Sequence, residues 1–315
     1  MFTKLTKAEK DWILYDVGNS AFILLVSTVM PLYFNSLAEK DGLSSVSYLA
    51  YWGYAASAAT LCVAFLGPVI GTITDFKGFK KPIFFVSVLA GSTLCFMMGF
   101  ILHWLMFLIF FILAKAVYSS SIIFYDSMLG DITTEERLDS VSSLGYAWGY
   151  IGSCIPFVLS LAVILGGKKI GISGSLAMTI AFTITAVWWF VFSLPLLKTY
   201  KQTHYIENTK NAIAESFKRL GNTLKNATKH KKIFLFLISF FFYIDGVYTI
   251  IDLATAYGTA LGLSSTSLLL ALLLTQIVAF PAALTFGRLA QKFDTTRLIL
   301  LCIFAYLGIA IFAIA

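Results

Sequence analysis

Long apolar runs recur along the whole chain. A run of 18 or more residues with few charges can satisfy its backbone in a bilayer only as a helix, unless it closes into a barrel. Such runs lie at about 12–35, 48–72, 82–102, 104–125, 141–165, 174–197, 233–253, 265–287 and 298–315. The alternating ten-residue segments that signal a barrel are absent. The spacing therefore predicts an all-α polytopic membrane protein with about nine transmembrane helices. A 315-residue chain with 59% apolar residues, 12% charge and mean hydropathy +0.85 does not have the composition of a soluble domain. Its net charge of +7 would suggest nucleic acid in a soluble protein, but the placement of the cations gives a simpler source. With the N-terminus inside, the inner segments hold nineteen of the 23 Lys and Arg residues, the outer loops hold Lys40, Lys168 and Lys169, and Lys115 falls within a span. This bias predicts an integral membrane protein with a cytoplasmic N-terminus, and no nucleic-acid partner.

One polar stretch between spans occurs twice. The first copy is Gly71-Thr-Ile-Thr-Asp75-Phe-Lys77-Gly78-Phe-Lys80-Lys81, and the second is Gly287-Arg288-Leu-Ala-Gln291-Lys292-Phe-Asp294-Thr-Thr-Arg297. Superposing Gly71 on Gly287 sets Asp75 over Gln291, Gly78 over Asp294 and Lys81 over Arg297. Each reads as a tight turn between antiparallel helices, with glycine permitting the turn and cations held at the inner surface. The stretch resembles the signature loop of the major facilitator superfamily, although Phe79 stands where a basic residue is usual and the second copy has lost the Asp and the second Gly.

The longest polar stretch, 198–232, follows six spans and carries nine cations against Glu207 and Glu215. It divides the chain into a six-helix bundle (1–197), a basic cytoplasmic linker (198–232) and a three-helix remainder (233–315). Ile213, Phe217, Leu220 and Leu224 recur at helical spacing, which suits a basic amphipathic helix on the inner leaflet. The resemblance implies a major-facilitator-type bundle of twelve helices, so the expectation is a chain truncated at its C-terminus by about three, working as a monomer.

Ionisable groups inside spans cost roughly 2.5–3.5 kcal/mol each on insertion scales, which makes them functional candidates. Asp16 lies in the first span with Asn19, Ser20 and Ser27 on its face. Lys115 lies in the fourth, with Tyr118 one turn on and Tyr125-Asp126 at its inner end. Asp245 lies in the seventh between Tyr243 and Tyr248, with Asp252 seven residues further. These are spans one, four and seven, which the resemblance makes cavity-lining. A structural ion pair of Lys115 with Asp245 or Asp16 is the competing account. Cys62, Cys95, Cys154 and Cys302 all lie in apolar segments without metal or redox spacing, so no metal or cofactor is expected.

Two further segments narrow the resemblance. One is Trp12-Ile-Leu-Tyr15-Asp16-Val-Gly18-Asn19-Ser20-Ala21-Phe22. The other is Phe124-Tyr125-Asp126-Ser127-Met-Leu-Gly130-Asp131-Ile132 followed by Ser142-Ser143-Leu-Gly145-Tyr146-Ala-Trp148-Gly149-Tyr150-Ile-Gly152. Together they resemble the vacuole-effluxer branch, the bacterial relatives of vacuolar amino-acid exporters linked to autophagy. Gly145, Gly149 and Gly152 at helical spacing read as a close-packing face.

The resemblance implies a secondary transporter of a small polar solute, amino acids among the candidates, working by alternating access. Asp16, Asn19, Lys115, Tyr118, Tyr125, Asp126, Tyr243 and Asp245 would serve substrate or coupling ion, with Asp16 or Asp245 titrating to couple protons. Gly71, Asp75, Lys77, Gly78, Lys80, Lys81, Gly287, Arg288, Gln291 and Arg297 would form the cytoplasmic gate. Their expected partners are the acidic segment of Asp126, Asp131, Glu135, Glu136 and Asp139, unless that segment is simply a solvated helix start. A non-transporting remnant or sensor is the alternative. An intramembrane enzyme fits less well, because His103, His204 and His230 lie in loops or at span edges and no HExxH or phosphate loop is present.

Overall fold

The computed structural model describes residues 5–207, 217–218, 221–223, 225–226 and 229–314. Within these, eight segments are long and apolar enough to cross a membrane. The first combines α1 (Lys7–Ser27) and α2 (Val29–Lys40). The others are α3 (Ser45–Thr74), α4 (Lys80–Met98), α5 (Trp104–Ile132), α6 (Leu138–Gly166), α7 (Gly174–Thr199), α8 (Lys231–Ala260) and α9 (Ser265–Ala290). A further apolar helix, α10 (Thr295–Ile314), follows. Among the described residues there is no strand beyond one isolated bridge between Phe76 and Ile206. The amphipathic stretch read over Ile213, Leu220 and Leu224, and the side chain of Asp252, lie outside the described residues; Phe217 is helical and exposed.

The first span is two helices where the apolar run 12–35 suggests one. Thr28 leaves helical geometry at φ −123, ψ −77, three residues before Pro31. Proline lacks an amide hydrogen and crowds the preceding turn, so continuous helix fails there. At its start α1 is closed by a capping box. The Thr6 hydroxyl accepts from the Glu9 amide at 3.2 Å, and Glu9 accepts from the Thr6 amide at 2.7 Å.

Three interhelical turns repeat one local device. Gly42, Gly171 and Gly262 take φ of +80, +81 and +83, which only glycine adopts without strain. An apolar residue follows each, then Ser44, Ser173 or Ser264, whose side chain accepts from the amide three residues on and starts the next helix.

Within the first six spans, α1 lies against α6 and α7, α5 against α3 and α4, and α4 against α7. Helix α6 also packs on α7, while α3 and α4 barely touch. The close approaches use glycine. A Cβ at Gly152 would meet Val17 at 2.6 Å, and one at Gly18 would meet Phe192 at 2.9 Å. Burial is sparser in the last three helices. The buried described residues of α8 are Thr255, Ala256 and Gly258, and those of α9 are Leu269 and Gly287. Helix α9 runs along α6, where Phe280 meets the Trp148 ring at 6.0 Å.

Candidate functional site

Asp16 is 7% exposed on the α1 face that meets α6. Gly145 and Gly149 make room for it: a Cβ on Gly145 would lie 3.2 Å from Asp16 Oδ2, and one on Gly149 would lie 3.3 Å from Asp16 Cγ. Asn19, one turn on, is the junction of a short polar chain. Its side-chain nitrogen donates to the Tyr15 carbonyl (3.1 Å) and to Asp16 Oδ1 (3.2 Å), while its oxygen accepts from the Tyr118 hydroxyl at 3.3 Å. Asn19 therefore orients the carboxylate and ties it to α5.

Tyr125 belongs to the packing of α1 on α5 rather than to this chain. Its ring stacks on Trp12 with centroids 4.2 Å apart, and the Trp12 indole donates to the Tyr125 carbonyl at 3.1 Å. Tyr15 shares a 2.8 Å hydrogen bond with Ser121 beside it. Asp126, the next residue of α5, is exposed and within electrostatic reach of both Asp16 and Tyr146. Lys115 is buried, with its ammonium 5.9 Å from the Phe111 ring centroid. Lys115, Ile122 and Asp126 stand seven and four residues apart and so share one stripe of α5. On α8, Asp245 and Tyr248 are exposed and Tyr243 is half-buried. Helix α8 packs against α1, α2 and α3, and Tyr248 lies within electrostatic reach of Tyr118, Tyr146 and Tyr150.

The structure thus joins Asp16, Asn19 and Tyr118 by direct hydrogen bonds and brings Asp126 near by its field. Tyr146 and Tyr150 join them without having stood out in the sequence. Each directly follows one of the glycines that pack on Asp16, and that offset was the available signal. Carboxylates, phenols and an amide in partly exposed walls can bind a polar solute and hold a proton. Among the described residues no group of three His, Cys, Asp or Glu could hold a metal ion.

At the first signature turn Gly78 has φ +82, so the glycine is needed for its backbone. The residues just after α7 fold back as a strap beneath this turn. Gln202 accepts from the Gly78 amide and donates to the Thr74 carbonyl, both at 3.0 Å, while Ile206 bonds Asp75 and Lys77 through the backbone at 2.8 and 3.0 Å. Lys77 reaches Glu207 at 3.1 Å, and that hydrogen bond raises the lysine above its ordinary pKa.

Asp131 is the hub. It receives the Tyr200 hydroxyl (2.5 Å), the Thr203 hydroxyl (2.7 Å) and the His204 amide (2.8 Å), and pairs with Lys80 at 3.8 Å. Burial, and then the bond to Asp131, push the Tyr200 phenol above its ordinary value, so it remains a donor at physiological pH. The meeting expected between the acidic segment and the turn therefore runs through Lys80 and Asp131. Arg137 from the same segment instead grips Glu9 with two 2.8 Å bonds. Lys81 is exposed. In the second copy, Gly287 packs on α6, where a Cβ would lie 2.6 Å from Ser143. Arg288 and Gln291 line a small cavity there of about 50 Å³ with Ser140 and Ser143. Arg297 faces Asp294 at 4.0 Å, both exposed.

Comparison with known proteins gives a family match described as "Vacuole effluxer Atg22 like" over residues 6–315. The chain is 42% identical over 318 residues to the uncharacterized MFS-type transporter YxiO of Bacillus subtilis, covering 99% of this chain and 74% of that protein. It is 24% identical over 180 residues to autophagy-related protein 22-1 of Aspergillus fumigatus, covering 53% of this chain and 29% of the fungal protein. A protein of the same name from Penicillium rubens is 28% identical over 145 residues, covering 42% and 23%.

Proposed function

We propose that this chain, which belongs to the vacuole effluxer Atg22-like family of major-facilitator-type transporters, moves a small polar solute across a bacterial plasma membrane by alternating access. Membrane transport as such comes with the family; solute, coupling and mechanism are our reading. The two working parts are residues 1–197 and 233–315, joined by the basic segment 198–232, with the N-terminus cytoplasmic and the protein monomeric.

The observation that carries the reading is the chain from Tyr118 through Asn19 to Asp16. A carboxylate 7% exposed inside a bundle, held by one amide and flanked by glycines, is costly in a scaffold and useful in a carrier. With Asp126 and Lys115 on one stripe of α5, the walls offer both signs of charge, which suits a zwitterion such as an amino acid. Asp16 would take up and release a proton as its surroundings alternate between wet and closed, coupling transport to the proton gradient. Asp245 and Tyr243 of α8 would contribute from the facing side.

The test is counterflow of labelled amino acids in proteoliposomes with a pH gradient. Wild type should accumulate solute, Asp16→Asn should retain exchange but lose the response to the gradient, and Lys115→Ala should abolish flux while leaving expression and folding nearly intact. Gradient-driven uptake by Asp16→Asn would refute the coupling role. Normal flux by Lys115→Ala would refute that site assignment.

A further inference from the structure

Alternating access, on which this inference rests, needs contacts that hold one end of the protein shut, and the break in the first span supplies one. Pro31 has no amide hydrogen, so the carbonyl of Ser27, four residues earlier, loses its intrahelical donor. The neighbouring hydroxyls do not replace it. Ser27 Oγ turns back to the Leu24 carbonyl at 3.2 Å, and Thr28 Oγ1 donates to the same oxygen. A carbonyl left open inside a membrane protein must find another donor. It finds one on α8, where the Thr255 hydroxyl donates to Ser27 O across 228 residues of sequence.

Thr255 is 1% exposed and sits in the small patch, Thr255 to Gly258, that holds the buried described residues of α8. The next helix backs this patch, since a Cβ on Gly258 would meet Leu268 at 2.7 Å. Much of the rest of α8 is exposed. The bond therefore lies where α8 is pressed against the first span, twenty residues from the Lys7 end of α1 and toward the opposite face of the membrane.

We infer that Thr255 is a positioning residue that bolts α8 to the carbonyl opened by Pro31, a contact made when the outer end closes and broken when it opens. It touches no solute, and acts by setting the population of the closed state. The arrangement suits a gate. A hydroxyl bonded to a lone carbonyl can be withdrawn without unwinding helix, because the helix is already interrupted there.

The experiment uses the full chain in proteoliposomes, with the four native cysteines replaced by alanine and Leu253→Cys, beside the patch, as reporter. A membrane-impermeant maleimide is applied from each side. Thr255→Val keeps the shape but removes the donor, and should raise labelling from the outer face roughly 2- to 10-fold, the range of one net hydrogen bond. Thr255→Ser keeps the donor and should label like the parent. Pro31→Ala, which returns an intrahelical donor to Ser27, should shift labelling the same way as Thr255→Val. Equal labelling of the valine and serine variants, whether both low or both raised, would overturn the bolt. Absence of flux in every variant with the labelling shift intact would instead sink the transport reading and leave the bolt standing.

Discussion

Helices α1 and α8 each open a group of spans and are both strongly apolar, yet they are packed very differently. Most residues of the first span are buried within the protein, whereas from Lys231 to Ile251 of α8 none is more than half-buried. Apolar content cannot account for this, because lipid is as apolar as leucine and gives no drive to bury it. What α1 has is small residues and polar partners. Gly145, Gly149 and Gly152 admit it to α6, and its Trp12, Tyr15 and Asn19 are all hydrogen-bonded. Helix α8 has Gly246 in open space and leaves Asp245 and Tyr248 exposed. The contrast recurs at the two related turns. Lys80 and Asp131 form a buried pair under the first, with side chains 6% and 1% exposed, whereas Arg297 and Asp294 at the second are 86% and 59% exposed.

The largest effect should come from the buried pair. Asp131→Ala leaves the Lys80 ammonium buried without its carboxylate and releases the strap, at a cost of about 3–5 kcal/mol. Asp294→Ala at the second turn should cost about 0–1 kcal/mol. Thermal unfolding in detergent, with hydrogen exchange over residues 200–207, measures both; similar losses would erase the distinction between the turns.

Next comes helix packing. Gly149→Val pushes methyl groups toward Ser20 Oγ, already 2.6 Å from a Cβ at that site, and should destabilise by about 1–3 kcal/mol. Gly246→Val on α8, with nothing within 4 Å, should leave the melting temperature unchanged. Loss of folded protein from the Gly246 variant would mean that α8 is packed as α1 is.

The smallest effect is at the exposed pair. Lys77→Ala should leave the melting temperature unchanged and only loosen the end of the strap. Glu207 raises the Lys77 pKa, so the folded state holds that proton more tightly than the unfolded one. The contribution is complete below the ordinary lysine value and is lost as pH rises through the raised one. Protection of amides 205–207 should therefore persist to alkaline pH and then fall, and the Lys77→Ala variant should lack that fall.

The spans, their order and the two related turns were legible because each is written in consecutive residues. The break at Thr28 was written there too, in Pro31, but an apolar count passes over it. The same count misses the Gly-apolar-Ser turns at 42–44, 171–173 and 262–264. The candidate site was legible by residue type, since Asp16, Lys115 and Asp126 are charges in or at the ends of apolar runs. Their company was not. Nothing local says that Tyr125 stacks on Trp12, that Asp131 gathers a strap from beyond α7, or that Tyr146 and Tyr150 stand near Asp16.

What the sequence determined alone is the solvent: a chain this apolar, with its cations gathered on one side, has to be a helical membrane protein, because backbone in a bilayer allows little else. Which helix faces which was decided only in three dimensions. Inside lipid that choice depends on where glycines let backbones approach and where a buried polar group finds its partner, and those partners lie as far apart in sequence as Ser27 and Thr255.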